Sequence, residues 1–472
     1  MGLYISIVLL VAAIFLGWYW FGRLINPVSV FNLFWLGAIS ANRLPFLELY
    51  TPSDVTFLMF SSSAMTFTAG FLFTQRRRRF EAVSRQSLVQ QMILTPSKSL
   101  LVVQMVALFV LSVIMLRLGI ASWNVLLSSH SAHVSAVRTE YYETGGANVL
   151  ASFGGVLAGK YGKLIFSYGI LPGVYCAYVF SLVRAITIGG RLNYLALVIA
   201  QINIVFLDAA SLGRTNTIFT LLVLLGTLVF IEIKLVAKKQ WQSFRNFIIA
   251  MLLLGTVLIV SMTVFRLDEK GTEGVGLAAK SMLSYYGGPI SALDQRERVM
   301  DGVNDNFCYS FGGFYDIFDD FWRLILRHRQ PLVHRTMDTQ VRIEVAPNLG
   351  FNALYTWCLN FYQDFGIGGI IFMPCLYGLF IGRIYRAYLG NGDMGFYVVF
   401  LFFYVNGLWS VASWHLEWAE YAIPFTAIFF LGWPRLGQVA AVTTAPPASS
   451  RKRFDGRTKT SLWQNYPHQK PF

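Results

Sequence analysis

Three residues in this chain have a type and a setting suited to chemistry at a phosphate. Arg214 stands in "DAASLGRTNT", a short Gly-containing turn rich in small hydroxyl residues, between two apolar runs. Arg266 closes another apolar run in "MTVFRLDEK". A guanidinium offers a planar fork of N–H donors that meets an oxyanion at two points, which a lysine ammonium cannot. Either arginine is therefore suited to stabilise charge on a departing phosphate. Asp364 is the third, in "FYQDFGIGG", directly before the run "IIFMPCLYGLFIG". Its carboxylate can act as a general base or orient an arginine; it can equally cap the helix that follows. For the arginines the plainer role is an interfacial anchor, because long cationic side chains also snorkel to a membrane surface.

Other chemistries lack their residues. The chain has no G-x-x-x-x-G-K-[ST] loop, no strand-borne G-x-G-x-x-G and no H-E-x-x-H. Its cysteines, Cys176, Cys308, Cys358 and Cys375, are scattered without metal-ligand spacing. His130 and His133 stand one helical turn apart, a weak metal signal. No metal site, cofactor or nucleotide is expected. Nor do the apolar runs carry the paired acids and bases of proton-coupled transporters. Asp208, with Gln201 and Asn203 before it, comes nearest, and it lies near the end of its run.

The elements that must position these residues are membrane helices. The 472 residues are 55% hydrophobic and 16% aromatic, and only 13% are charged, about half the share of soluble domains. Apolar runs near the ~20 residues that cross a bilayer recur from end to end. Eleven are expected: about 3–22, 28–42, 53–74, 99–117, 163–183, 193–209, 216–233, 246–264, 368–384, 397–414 and 421–436. The second and sixth are short or diluted with polar residues. Basic residues set the orientation, since short cytoplasmic loops collect Lys and Arg. The "RRRR" of Arg76–Arg79 fixes one loop inside, and alternation puts Arg184, Arg191, Lys238, Lys239, Arg383 and Arg386 on that side. Arg43 and Arg214 fall outside. The N-terminus is then outside and the C-terminus inside. The net charge of +14 is mostly this topology signal and no argument for nucleic acid. The first run has no charged n-region and no A-x-A-like site, so it reads as an anchor.

Residues 1–436 are thus expected as a polytopic domain, with long outside loops at about 118–162 and 265–367. Loops that long usually carry function. Cys308 and Cys358 share the outer side and can pair. The tail 437–472 is basic, Pro/Ser-rich and expected to be disordered and cytoplasmic, favouring the anionic leaflet. Within the long loop, "DIFDDFWRLILRHR" (316–329) repeats apolar residues at three- and four-residue steps, the pattern of an amphipathic helix. Such a helix can lie on a membrane, roof a cavity or pack on the rest of the loop.

Three segments carry a family resemblance: "SMLSYYGGPISALDQ" (281–295), "NFCYSFGGFYDIF" (306–318) and "PNLGFNALYTWCLNFYQDFGIGGIIFMPCLYG" (347–378). A Tyr segment, a Gly/Phe segment and a polar run closing on Asp-Phe-Gly before a spanning helix are similar to the O-antigen polymerase, or oligosaccharide repeat unit polymerase, family (Wzy-type). "SLGRT" resembles that family's arginine after a mid-chain helix. The likeness covers about 205–385. It implies an all-α, GT-C-like glycosyltransferase of the bacterial inner membrane. Such enzymes lift a glycan from undecaprenyl diphosphate onto a new lipid-linked repeat unit at the periplasmic face, sometimes beside a chain-length regulator. Donor and acceptor glycans and the bilayer would be the partners, with no nucleic acid.

The residues fit that chemistry. The donor is already activated, so the demands are charge stabilisation on the diphosphate and a base for the acceptor hydroxyl. Arg214, Arg266 and Asp364 are the catalytic candidates. Arg138 in the shorter loop, with Tyr285, Tyr286, Tyr355 and Tyr362, are the substrate-binding candidates; Tyr315 and Trp357 also offer ring faces for sugars. Two alternatives stay open: an O-antigen ligase, which has a similar layout, and a lipid-linked oligosaccharide flippase or exporter, which should carry more charge inside the bundle.

Overall fold

Hydrocarbon forces a spanning chain to satisfy its backbone N–H and C=O groups internally, and each expected run coincides with a helix in the computed structural model. The structure describes residues 1–75, 98–128, 165–210, 213–231, 238–267, 271–297, 308–325, 343–347, 349–351, 356–391 and 393–432. These hold thirteen α-helices: α1 (Gly2–Phe21), α2 (Pro27–Asn42), α3 (Asp54–Gln75), α4 (Lys98–Ser128), α5 (Leu171–Thr187), α6 (Arg191–Ala210), α7 (Thr215–Phe230), α8 (Lys238–Leu267), α9 (Gly271–Glu297), α10 (Gly312–Ile325), α11 (Trp357–Asn391), α12 (Met394–Trp409) and α13 (Ala419–Gly432). A π turn, Phe166–Ile170, leads into α5. One short antiparallel hairpin, β1 (Ile343–Ala346) with β2 (Leu349–Phe351), accompanies the helices. Contacts group Met1–Pro434 into one unit; residues 435–472, which contain the expected tail, lie outside the described residues.

Among the described residues, seven helices are long and apolar enough to cross a membrane: α1, α3, α4, α5 with its π turn, α6, α8 and α11. They mark a multi-pass, membrane-embedded chain. The other four expected runs are the shorter helices α2, α7 and α12, of 16 residues each, and α13, of 14.

Local signals start and stop the helices. Asn26 caps α2, its side-chain oxygen accepting from Ser29 N at 2.9 Å, with Pro27 in the first position. Asp393 does the same for α12 through Gly395 N at 2.6 Å. α3 and α11 approach with almost no room between them: a Cβ on Gly70 would strike the carbonyl of Cys375, and one on Gly378 that of Phe67. Small residues at such a seam let backbones meet, the usual device for packing helices in lipid.

α11 is not a single rod. Gly366, at φ 62 and ψ −152, breaks it in a left-handed region where glycine carries no Cβ penalty. The rings of Trp357 and Tyr377 lie 5.8 Å apart, whereas a straight helix would separate them by ~30 Å along its axis. The segment before Gly366 therefore folds back along the segment after it, and a Cβ on Gly369 would strike the carbonyl of Phe361.

The expected outer loop 265–367 is largely built structure. It contains α9, α10, the hairpin and the first segment of α11. α9 escapes a hydropathy reading because polar contacts hold it. Asn42, at the end of α2, donates to Gly287 O at 3.0 Å and to Ser291 Oγ at 2.8 Å. Asp294 accepts from Ser53 N and Thr56 Oγ1 at 2.8 Å each, where α3 begins. No disulfide joins Cys308 and Cys358; both are buried thiols.

Candidate functional site

Arg214 is the residue that precedes α7, at φ −154 and ψ −1. The turn that delivers it closes when Gly213 N donates to Asp208 O at 2.7 Å. Its guanidinium reaches two other elements. Nη1 donates to Thr263 Oγ1 of α8 at 2.5 Å, and Nη2 to Ser281 Oγ of α9 at 3.4 Å. The guanidinium carbon stands 4.7 Å from the centre of the Tyr285 ring, inside cation–π range. The side chain is 8% exposed. Arg214 therefore lies against α9, covered by protein. Hydroxyls and a ring face stand where water would otherwise solvate the fork.

Asp208 explains why the turn holds. It is fully buried, and its carboxylate accepts from Thr217 N at 2.6 Å, Asn216 N at 3.2 Å and Asn216 Nδ2 at 2.8 Å. It thus caps the first turn of α7 from α6, placing an anion at the positive end of the helix. Asn216 in turn accepts from Tyr175 Oη at 2.6 Å and Tyr421 Oη at 2.9 Å. Tyr421 stacks on His415, 4.1 Å between centroids and 10° between planes. Neither nitrogen of the buried His415 ring has a hydrogen-bond partner among the described residues.

His415 belongs to the segment 410–417 between α12 and α13, every residue of which is buried. Ser410 O accepts from Trp357 N at 3.0 Å, and Trp357 Nε1 donates to Ser63 Oγ, near the middle of α3, at 2.7 Å. Irregular backbone within a membrane bundle is tolerated where protein covers it. Polar contacts tie it down: Trp414 Nε1 donates to Ser310 O at 2.6 Å, and Asn360 Nδ2 to Glu417 Oε2 at 2.8 Å.

Asp364 does lie just before a helix start, since the second segment of α11 begins after the break at Gly366, but its carboxylate is turned to another element. It sits inside α11, two residues before the break at Gly366, and is 1% exposed. Its carboxylate accepts from Ser310 N at 2.6 Å and Tyr309 N at 3.1 Å. It caps not its own helix but the turn that leads into α10. The hairpin at Gly366 brings it there, and no local pattern announces that fold-back.

Of the candidates whose side chains are described, the structure unites Arg214 with Tyr285. Tyr286 turns to α2, its hydroxyl donating to the carbonyl of Phe34. Trp357 is wholly buried among Phe31, Trp35 and Phe67, so it packs the core and offers no sugar platform. Tyr362 and Tyr315 are half-buried. Arg266 lies in the last turn of α8, with its side chain outside the described residues, as are Arg138 and Tyr355 altogether. Among the described residues no three His, Cys, Asp or Glu side chains gather as metal ligands. Thr263, Ser281, Asn216, Asn360, His415 and Glu417 were not singled out as site residues. Polarity inside an apolar run was a signal for Thr263 and Asn216 alone; the other four fall outside the expected runs. Compared with known proteins, the chain matches no protein family, no curated protein and no solved structure.

Proposed function

We propose that this chain polymerises undecaprenyl-diphosphate-linked oligosaccharide repeat units into surface polysaccharide at the periplasmic face of a bacterial inner membrane. In this reading all eleven apolar helices span, the architecture is GT-C-like, the N-terminus is periplasmic and the C-terminus cytoplasmic. The end of the bundle bearing Arg214 and α9 is then the periplasmic one. The observation that carries the reading is Arg214 against Tyr285, Thr263 and Ser281: a forked cation beside an aromatic face, where the lipid-linked diphosphate and its first sugar would meet the protein.

The acceptor hydroxyl oxygen bonds to the donor's anomeric carbon as the bond from that carbon to the diphosphate oxygen breaks. Negative charge collects on the departing diphosphate, and Arg214 stabilises it. The acceptor's proton leaves to a base. Asp364 suits the base role poorly, since two backbone N–H groups occupy its buried carboxylate; it supports the fold of the site instead.

A flippase or exporter of the same lipid-linked glycan is the second reading. It is favoured by the broken α11 and the buried irregular segment 410–417, since discontinuous helices are a transporter device. A gel of surface glycan from a deletion strain separates the readings. Loss of a polymerase leaves single repeat units on the outer core. Loss of a ligase leaves long lipid-linked chains, and loss of a flippase strands units in the cytoplasm. Either of the last two patterns would overturn the polymerase reading.

A further inference from the structure

We propose that α10 is an in-plane membrane helix that lays Phe318, Phe321 and Trp322 into the lipid leaflet at the Arg214 end of the bundle. The proposal rests on the membrane-spanning reading of the bundle and is independent of the polymerase reading.

α10 is amphipathic in the reverse of the sense water requires. A helix at an aqueous surface buries its apolar stripe and turns its acids outward. Here Phe318 is 65% exposed, Phe321 60% and Trp322 36%, and their three- and four-residue spacing puts them on one face. The opposite face meets protein. Asp320 accepts from Tyr168 Oη at 2.5 Å. On the same face Asp319, its side chain 19% exposed, pairs within α10 with Arg323, which is 45% exposed. Gly312 and Gly313 are buried at the helix start. α10 packs on α13 and on the His415–Glu417 turn. Three aromatic side chains facing water would forgo the burial that drives folding; facing acyl chains they forgo nothing.

The depth agrees. Tyr168 lies in the π turn at the start of the apolar stretch that becomes α5, so its bond to Asp320 holds α10 near the end of that stretch. That is the level of an interfacial helix, whose apolar face sinks into the boundary between headgroups and acyl chains. Tyr175, two turns along from Tyr168, bonds to Asn216, which puts α10 at the same end of the bundle as Arg214.

A nitroxide on Phe318→Cys tests this in the full chain, reconstituted in vesicles of phosphatidylethanolamine and phosphatidylglycerol. The signal of the parent protein, with its own cysteines, is subtracted. The expected result is collision with dissolved oxygen well above collision with a water-soluble nickel complex. High nickel accessibility would put the face in water and overturn the proposal. Shielding from both would mean that a second copy or another protein covers it, which also overturns it. Should Phe318→Cys fail to fold, Phe321→Cys reads the same face with the same outcomes.

Discussion

The guanidinium carbon of Arg214 lies 4.7 Å from the ring centre of Tyr285, joining the residue before α7 to the middle of α9. The same guanidinium donates to Thr263 on α8, so three helices converge on one cation. None of these contacts is local in sequence. The Tyr285 contact depends on α9 returning across the end of the bundle, where Asn42, Ser53 and Thr56 hold its far half.

Tyr285 should matter through its ring. Tyr285→Phe is expected to keep near-normal glycan synthesis. Tyr285→Leu loses a cation–π contact of ~0.5–2 kcal/mol, a drop of about 2- to 30-fold in turnover. Full turnover by Tyr285→Leu in a membrane assay would take the ring out of the site.

Asp364 should behave as a structural latch. Asp364→Ala orphans the N–H groups of Tyr309 and Ser310, at roughly 1–3 kcal/mol each, so thermal stability in detergent and activity should fall together. Asp364→Asn keeps one acceptor oxygen and should recover much of both. A well-folded Asp364→Asn with no activity would return the carboxylate to the role of base.

Much of the scaffold was legible and much of the site was not, for one physical reason. Hydropathy reports which segments prefer hydrocarbon, so every expected apolar run coincides with a helix. α9 and the fold-back at Gly366 are specified by hydrogen bonds and close contacts between distant residues, to which hydropathy is blind. Arg214 could be picked out because a cation beside Gly213 between apolar runs is conspicuous. Asp208 was noticed only as a polar group near a helix end, and its role as a cap for the next helix needed the turn geometry. Asp364 was placed just before a helix start, and a segment of α11 does begin after Gly366; that the chain reverses there, and that the carboxylate reaches Tyr309 N and Ser310 N, is written in no local pattern.

Asp208 should hold α7, and through it Arg214. Asp208→Ala removes the acceptor for Thr217 N and Asn216 N and is expected to destabilise the protein by roughly 1–3 kcal/mol. The check is the unfolding midpoint in detergent, which should drop, with turnover reduced further than Tyr285→Leu reduces it. An unchanged midpoint would contradict the capping role.

Orientation has its own test. A periplasm-dependent reporter fused near residue 300, beyond α9, should be active, and a cytoplasm-dependent one inactive. The reverse pattern would place Arg214 on the cytoplasmic side and remove the polymerase reading with it.

Arg214→Lys bears most directly on the site. Lysine keeps the charge and the reach but lacks the fork, and the purified variant would be given lipid-linked repeat units in vesicles. Loss of one charge-assisted contact to the departing diphosphate, ~2.7–4 kcal/mol by analogy with a deleted oxyanion donor, should lower turnover roughly 10²–10³-fold at normal protein level and insertion. Long-chain glycan made by Arg214→Lys at the parent rate would show that Arg214 only anchors the interface, and would contradict its role at the diphosphate.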